Sequence, residues 1–353
     1  MAYSGNGTGT QADPYQVTTI EQLVECFDIY NKTDASRRDL HMYCKLMNDL
    51  DFNNSPQYWD CPAELFGAKN MSYMTSNDHW VYIDGNGFGI YNLYNFNKAG
   101  IFTTTSSGSG WSNSIYINNC VLEVVVINST GDRTNLAYEN SSTYRGGIFF
   151  NNCDLRIKLY KYSGDTQYSS LFRFTRFNNC ILNIDIVINK QGFVGNPNSR
   201  TTILASRENI DNSNYFRNFY NEWNIRIIFV SDANTSSNTA SLFESTCHFF
   251  SSFFIEMIAV KDNFVNKVLF TSDTNGTNIN NCYFVVKNTN TTYKASLLLP
   301  SRAYKNGVNF YDSQLADGQI TDNSGGSGEL LALTTAQCKD AEYLEQQGFI
   351  IAK

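Results

Sequence analysis

Asn118-Asn119-Cys120-Val121-Leu122-Glu123-Val124-Val125-Val126 is the stretch that decides the fold. An Asn pair leads into a Cys, and Leu122, Val124 and Val126 then recur at a period of two, which marks a strand with one buried face. The triplet returns at Asn151-Asn152-Cys153, Asn178-Asn179-Cys180 and Asn280-Asn281-Cys282. Asn221-Glu222-Trp223 and Ser245-Thr246-Cys247 read as degenerate copies. With Cys120, Cys153, Cys180, Trp223, Cys247 and Cys282 taken as equivalent, the spacings are 33, 27, 43, 24 and 35 residues. Such variation is unlike a consensus helical repeat and suits stacked strands joined by loops of differing length.

The strands after each copy share one pattern. Leu155, Ile157 and Leu159 follow Cys153, Leu182, Ile184, Ile186 and Ile188 follow Cys180, Ile225, Ile227 and Phe229 follow Trp223, and Phe284 and Val286 follow Cys282. The alternate positions carry Glu123, Arg156, Lys158, Asn183, Asp185, Arg226 and Lys287, a solvent face. A second strand precedes the Asn pair at Gly100-Ile101-Phe102, Gly147-Ile148-Phe149, Ser170-Leu171-Phe172, Ser241-Leu242-Phe243 and Lys267–Phe270, with Ile203-Leu204-Ala205 as a weaker copy. Its variable distance to the Cys position predicts a minimal bend with insertions at one corner. Asn tolerates the left-handed backbone that such a bend needs, and stacked Asn side chains can bond one another.

These features predict an all-β fold, a right-handed parallel β-helix (solenoid) with short N- and C-terminal helical caps. Residues 1–79 are expected as an N-terminal arm and capping region, 80–322 as the β-helix, and 323–353 as a linker and C-terminal capping helix. Ile20, Leu23, Val24 and Phe27 lie on one face of a predicted helix, with Thr18 or Thr19 as N-cap. Thr334-Thr335-Ala336-Gln337 predicts a capping box that opens a helix through Leu344, stopped by Gly348, after which Phe349-Ile350-Ile351 could form a last strand. Both ends of a stack need covering, because an open strand edge pairs with other chains.

Composition narrows the function. The 353 residues include 17% charged and 14% aromatic residues and five prolines, and the net charge is −7. No Lys/Arg run supplies the basic footprint of a nucleic-acid binder, so no nucleic-acid partner is expected. No apolar run approaches a membrane span, so membrane insertion is not expected either. The start Met1-Ala2-Tyr3-Ser4-Gly5-Asn6-Gly7 lacks a basic, then apolar, export signal, and the expectation is assembly in a cytoplasm. Nine cysteines without a CxxC pair, and scattered His41, His79 and His248, predict neither a disulfide framework nor a metal centre; no metal and no cofactor is expected, and Cys serves as a small buried hydrophobe.

Candidate sites are few. Glu123, Asp154 and Asp185 lie on outward faces of neighbouring repeats, and stacking at about 4.8 Å would bring such carboxylates within the roughly 5–10 Å that acid-base glycoside cleavage uses. Arg156, Lys158 and Arg226 sit among them, so a charge-mixed solvent face predicts the same residues, and these remain weak catalytic candidates. Asp78-His79-Trp80 could suggest a site, but a lone His79 at the start of a repeat reads as structural or merely exposed. Phe249, Phe250, Phe253, Phe254, Ile255, Met257 and Ile258 make both faces of one strand apolar, which predicts a covered contact surface with Phe250, Phe254 and Ile258 at its centre. Trp59, Trp80, Trp111 and Tyr215 are candidates for stacking on sugars, with loop packing as the alternative.

A resemblance adds to these readings. Gly5-Asn6-Gly7-Thr8-Gly9-Thr10, Asp13-Pro14-Tyr15-Gln16-Val17 and Ile20-Glu21-Gln22-Leu23 resemble the N-terminal cap of β-helix proteins in bacteriophage tails and bacterial adhesins. Ile83-Asp84-Gly85-Asn86-Gly87 with Ile90-Tyr91-Asn92-Leu93 resembles their first coil. Leu333-Thr334-Thr335, Lys339-Asp340 and Gly348-Phe349 resemble the closing segment of adhesins with Gly-Leu-x-Gly repeats, although that tetrapeptide is absent. The resemblance implies a virion structural protein of the tail (spike or fibre), a rigid shaft or a host-receptor surface, with other virion proteins and a host cell-surface glycan as partners. It is compatible with a homotrimer through the face near Phe250 and Phe254. Two alternatives stay open: a polysaccharide depolymerase (hydrolase or lyase) on the same fold, and a secreted bacterial adhesin.

Overall fold

The computed structural model describes residues 2–33, 41–58, 65–68, 79–96, 99–105, 113–128, 135–140, 147–161, 171–173, 175–188, 201–206, 217–229, 240–243, 248–259, 267–271, 277–288, 296–299, 303–314, 319–322 and 324–349. The fold is all-β with parallel strands and few helices. The chain divides into two compact units, one of Met1–Ile127, Arg133–Ile157 and Leu171–Cys180, the other of Asn128–Asp132, Lys158–Ser170 and Ile181–Lys353.

In the first unit Tyr15–Val17 pairs in parallel with the next strand, and from His41–Leu46 on each strand pairs with the third strand after it. Tyr15–Val17, His41–Leu46, His79–Asp84, Asn113–Asn118, Gly147–Asn151 and Thr175–Asn178 form one ladder, which leads into the Asn corners. Leu50–Asp51, Gly89–Phe96 and Val121–Asn128 form the ladder that leaves them. Phe66–Ala68, Ala99–Thr105, Asn135–Asn140 and Phe172–Arg173 form a third. The Ile/Leu-Phe strands expected as one set fall into two of these three ladders. Gly147-Ile148-Phe149 belongs to the leading ladder, opposite Ser114, Ile115 and Tyr116. The third-ladder strand of that repeat holds Leu136-Ala137 instead, where Ala137 faces Phe102 on one side and Phe172 on the other. A small residue between two rings packs well, but it breaks the aliphatic-Phe pattern that marks the other copies.

The second unit repeats the arrangement. Ile181–Ile188, Arg217–Phe229, His248–Ala259, Tyr283–Asn288, Val308–Asp312 and Glu329–Leu333 pair in that order. Thr201–Ser206, Ala240–Phe243, Lys267–Thr271, Ser296–Leu299 and Gln319–Asp322 form a second ladder. Thr277–Asn280, Ala303–Asn306 and Gly325–Gly326 form a third. Parallel pairing therefore begins at Tyr15, well before residue 80, and runs past 322 to Leu333, wider than the expected 80–322.

Register also revises the repeat. Ile181 pairs with Glu222, Asn221 with Ser251, Ser252 with Tyr283, and Tyr283 with Phe310. The Cys position is thus taken by Asn221, Ser251 and Asn309 in turn. Trp223 lies two places further on, opposite Leu182, and Cys247 lies outside the described residues. The spacings become 33, 27, 41, 30, 31 and 27 residues, more even than the letters alone suggested. The Asn corner is the short, constant one: two residues separate Asn118 from Val121 and Asn151 from Asp154, while the other two turns vary. Inward side chains behave as expected. Leu122, Val124, Val126, Leu155, Ile157, Leu159, Leu182, Ile184, Ile186, Ile188, Ile225, Ile227, Phe284 and Val286 are all buried.

Helix α1 (Ile20–Lys32) is capped by Thr19, whose side chain accepts from the Gln22 amide. It buries Ile20, Leu23, Cys26, Phe27 and Tyr30; Val24, expected on that face, is only half-buried. Asn31 Nδ2 donates to the Gly67 carbonyl at 2.7 Å, and Phe27 packs on Phe66 at 5.5 Å between ring centroids. The Gly-rich N-terminal arm folds back, and Asn6 bridges Gln16 in antiparallel fashion. The first strands of two ladders are thus blunted at their outer edges. At the other end the capping box of Thr334 and Gln337 forms as predicted, but the helix breaks. Helix α2 (Thr335–Cys338) ends at Lys339, and helix α3 (Ala341–Gln346) restarts with Asp340 as N-cap. Leu344 packs with Phe310 and Leu333, and Phe349 meets Phe310 edge-on at 4.6 Å. Residues 350 and 351, expected in a last strand, lie outside the described residues.

Candidate functional site

The Asn corners explain their own sequence. Asn119, Asn152, Asn179 and Asn281 sit at φ of +53°, +53°, +52° and +54°, a left-handed conformation that Asn adopts more readily than residues other than Gly. Their side chains bond from repeat to repeat: Asn179 Nδ2 donates to Asn152 Oδ1 at 2.8 Å, Asn152 Nδ2 to Asn119 Oδ1 at 3.2 Å, and Asn119 Nδ2 to Asp84 Oδ1 at 3.1 Å. The preceding Asn forms a second rung, Asn151 Nδ2 to Asn118 Oδ1 at 2.8 Å. Next to them the thiols of Cys153 and Cys180 donate to the Ile117 and Phe150 carbonyls, both at 3.3 Å. Burial pushes Cys120 and Cys282 up to about 12. Cys153, hydrogen-bonded to Cys180 and buried, is also pushed up. Raised in this way, Cys120, Cys153 and Cys282 stay protonated at neutral pH and pack as small hydrophobes, since reactivity belongs to the thiolate.

Of the carboxylate candidates, Asp154 is bonded to a guanidinium. Asp154 accepts from Arg156 Nε at 2.9 Å and Nη2 at 2.7 Å. The hydrogen bond and charge of Asp154 raise the Arg156 pKa, with smaller contributions from Tyr91 and Glu123. In the second unit Asp185 pairs in register with Arg226, Arg226 with Glu256, and Glu256 with Lys287, an outward column of alternating charge. Arg226 Nε lies 3.3 Å from Glu256 Oε2. Among the described residues no group of three or more His, Cys, Asp or Glu could hold a metal ion, and no helix is long and apolar enough to cross a membrane.

The most continuous outward feature is aromatic. Tyr43, Tyr82, Tyr116 and Phe149 stack along the leading ladder of the first unit, with centroids 4.7, 4.8 and 4.5 Å apart, and Arg176 lies 4.5 Å over the Phe149 ring. In-register parallel strands, about 4.8 Å apart, dictate that spacing. Trp80 stacks on His41 at 4.5 Å and meets Tyr82 and Tyr116 edge-on, both at 6.0 Å. The Tyr82 phenol is pushed up to about 12, by burial first and then by Tyr116 and Tyr43. Each inner ring of the column has both faces covered by its neighbours. Ring edges and phenol hydroxyls are what the column can offer a ligand. Sequence reading named Trp80 but missed the column, although a signal was there: an aromatic residue stands two places before the corner residue in Tyr82-Ile83-Asp84, Tyr116-Ile117-Asn118 and Phe149-Phe150-Asn151.

The other candidates separate. Trp59, Trp111 and Tyr215 lie outside the described residues, as does the side chain of Phe250. Phe254 is 38% exposed and meets Tyr283 edge-on, and Ile258 is half-buried. Phe253, Ile255 and Met257 on the same strand point inward and are buried. His79, 2% exposed, pairs in register with Asn113, whose side chain accepts from the Tyr30 hydroxyl at 2.6 Å. It is a core residue.

No protein-family model and no curated protein matches the sequence. Among solved structures the chain is similar to a protein from Bacteroides ovatus described as a "putative immunoglobulin A1 protease", at 10% identity over 97% of this chain and 89% of that one, with a TM-score of 0.40. A likeness that low carries no argument about fold or function.

Proposed function

We propose that the chain is a right-handed parallel β-helix and serves as a structural component of a bacteriophage tail, a rigid shaft whose outer face contacts host-surface glycan and other virion proteins. The observation that carries this reading is that, from His41–Leu46 on, each strand of the first unit pairs with the third strand after it, which is how a three-sided coil advances. Parallel crossovers of this kind are right-handed in nearly all known cases. Rigidity is supported by the outward columns: Asn, aromatic and charged side chains all bond along the stack. The phenols of Tyr43, Tyr82 and Tyr116 offer a row of hydroxyls at strand spacing, suited to the hydroxyl-rich edge of a glycan chain.

The test is to incubate the protein with host capsule or surface glycan and measure both binding and new chain ends. Binding without new reducing or unsaturated ends, weakened about tenfold by Tyr82→Ala with Tyr116→Ala, is the expected result. Turnover that disappears in Asp154→Asn or Asp185→Asn would replace this reading with a depolymerase.

A further inference from the structure

Two successive copies of the Asn-Asn-Cys motif place their thiols against each other. Asn151 pairs in register with Asn178, the Asn152 amide donates to the Asn178 carbonyl at 3.0 Å, and Asn179 Nδ2 donates to Asn152 Oδ1 at 2.8 Å. Cys153 and Cys180 therefore stand at the same corner position of neighbouring strands, whose spacing is about 4.8 Å. Cα atoms at that spacing fall within the about 4.4–6.8 Å that a disulfide spans. Both thiols are free and buried, and they are hydrogen-bonded to each other. Elsewhere in the column the thiol meets something else. Cys120 turns its thiol to the carbonyl of Val121 at 3.3 Å, and Cys282 has Ser251 and Asn309 as its column neighbours.

The pair is also unequal. The hydrogen bond from Cys153 outweighs burial and, with backbone hydrogen bonds at Cys153, Asn178 and Asn152, holds the Cys180 thiol below its ordinary value. Cys153 is pushed the other way. One sulfur is thus prepared to attack as a thiolate while the other keeps its proton. The corner that carries them lies at the surface, since Asn152, Asn178 and Asn179 are exposed.

We infer that Cys153 and Cys180 are a redox-sensitive pair, which a hydroperoxide closes into a disulfide between successive repeats. The Cys180 thiolate attacks one oxygen of hydrogen peroxide. The O–O bond breaks, and the leaving hydroxide takes up the proton that Cys180 released, giving water and a sulfenic acid. The Cys153 sulfur then attacks the sulfenic sulfur, and its proton leaves with the displaced hydroxide as a second water. Two thiols and one peroxide give one disulfide and two waters; the sulfurs are oxidised and the peroxide oxygens reduced. The two residues are 27 apart in sequence, so the bond closes a loop that the unfolded chain must then carry, and the oxidised form resists unfolding more than the reduced one. The inference rests on the corner geometry and stands apart from the tail reading.

The test treats the folded full chain with hydrogen peroxide, unfolds it in a thiol-blocking reagent and maps its peptides by mass spectrometry without reduction. The expected product links the Cys153 and Cys180 peptides with the loss of two hydrogens and is reversed by dithiothreitol, while Cys120 and Cys282 are recovered as blocked thiols. The urea midpoint should rise on oxidation and return on reduction. In Cys153→Ser a diketone trap for sulfenic acids should mark Cys180; in Cys180→Ser it should mark Cys153 about tenfold or more slowly. Should either variant fail to fold, the peptide map of the unsubstituted chain still decides. No link, a link from either residue to a different cysteine, or equal marking in the two folded variants would overturn the inference.

Discussion

Asn152 combines two requirements that few side chains meet together. Its backbone is left-handed, and its amide both donates to Asn119 and accepts from Asn179. Asn152→Gly keeps the conformation and loses the two bonds, so a loss of about 1 kcal/mol is expected. Asn152→Ala loses the same bonds and adds the left-handed penalty, for about 2 kcal/mol. Urea unfolding of the two variants decides the matter; an Ala variant no weaker than the Gly variant would mean that the corner relaxes. At this scale the sequence was informative where chemistry is tied to one residue type, as with the Asn conformation. It was silent where geometry accepts several types. Asn221, Ser251 and Asn309 occupy the Cys column because each is small enough for a buried corner, and nothing in their letters announces it.

Between strands, the column Asp185–Arg226–Glu256–Lys287 shows how the outward faces are held. Arg226 is 49% exposed and Glu256 40%, so their single pair is worth little. Arg226→Ala should change stability by about 0.5 kcal/mol or less. Arg226→Glu is different, because it sets like charges opposite each other on both sides; a loss of about 1–2 kcal/mol is expected at low salt, shrinking as salt is added. Thermal unfolding at two ionic strengths checks this, and a salt-independent loss would point to packing instead. Strand existence and the buried face were legible from the period of two. The third ladder was only partly so, since Leu136-Ala137 trades the aromatic ring for a residue that fits between rings. The C-terminal helices illustrate the same limit: the capping box was readable, but an apolar helix face does not say which surface it meets.

For the molecule as a whole, buried thiols set the response to alkali. Cys120 and Cys282 are held up to about 12 by burial, whereas an unfolded thiol titrates near about 8.5. Below that value both states keep the proton and this stabilisation is fully present. Above it the unfolded chain releases protons that the folded chain retains, so stability falls by about 1.4 kcal/mol per pH unit for each thiol, until the folded groups ionise near 12. Urea midpoints should decline steadily from about pH 8.5 upward; a flat profile would show that these thiols are not shielded. Cys120 and Cys282, both buried, should also resist alkylation in the native state.

The even spacing of the corner column bears on how the chain reaches its fold. Partners along it are separated by 27 to 41 residues, however far along the chain the pair lies. Loop-closure entropy grows only with the logarithm of the loop, about 0.6 kcal/mol per doubling, so every rung closes at nearly the same entropic cost. Once one pair of strands has formed, each later rung docks on a finished template with one comparable closure. The kinetic barrier then belongs to the first rung, and a longer chain of the same design would have more rungs to zip but no higher barrier to begin.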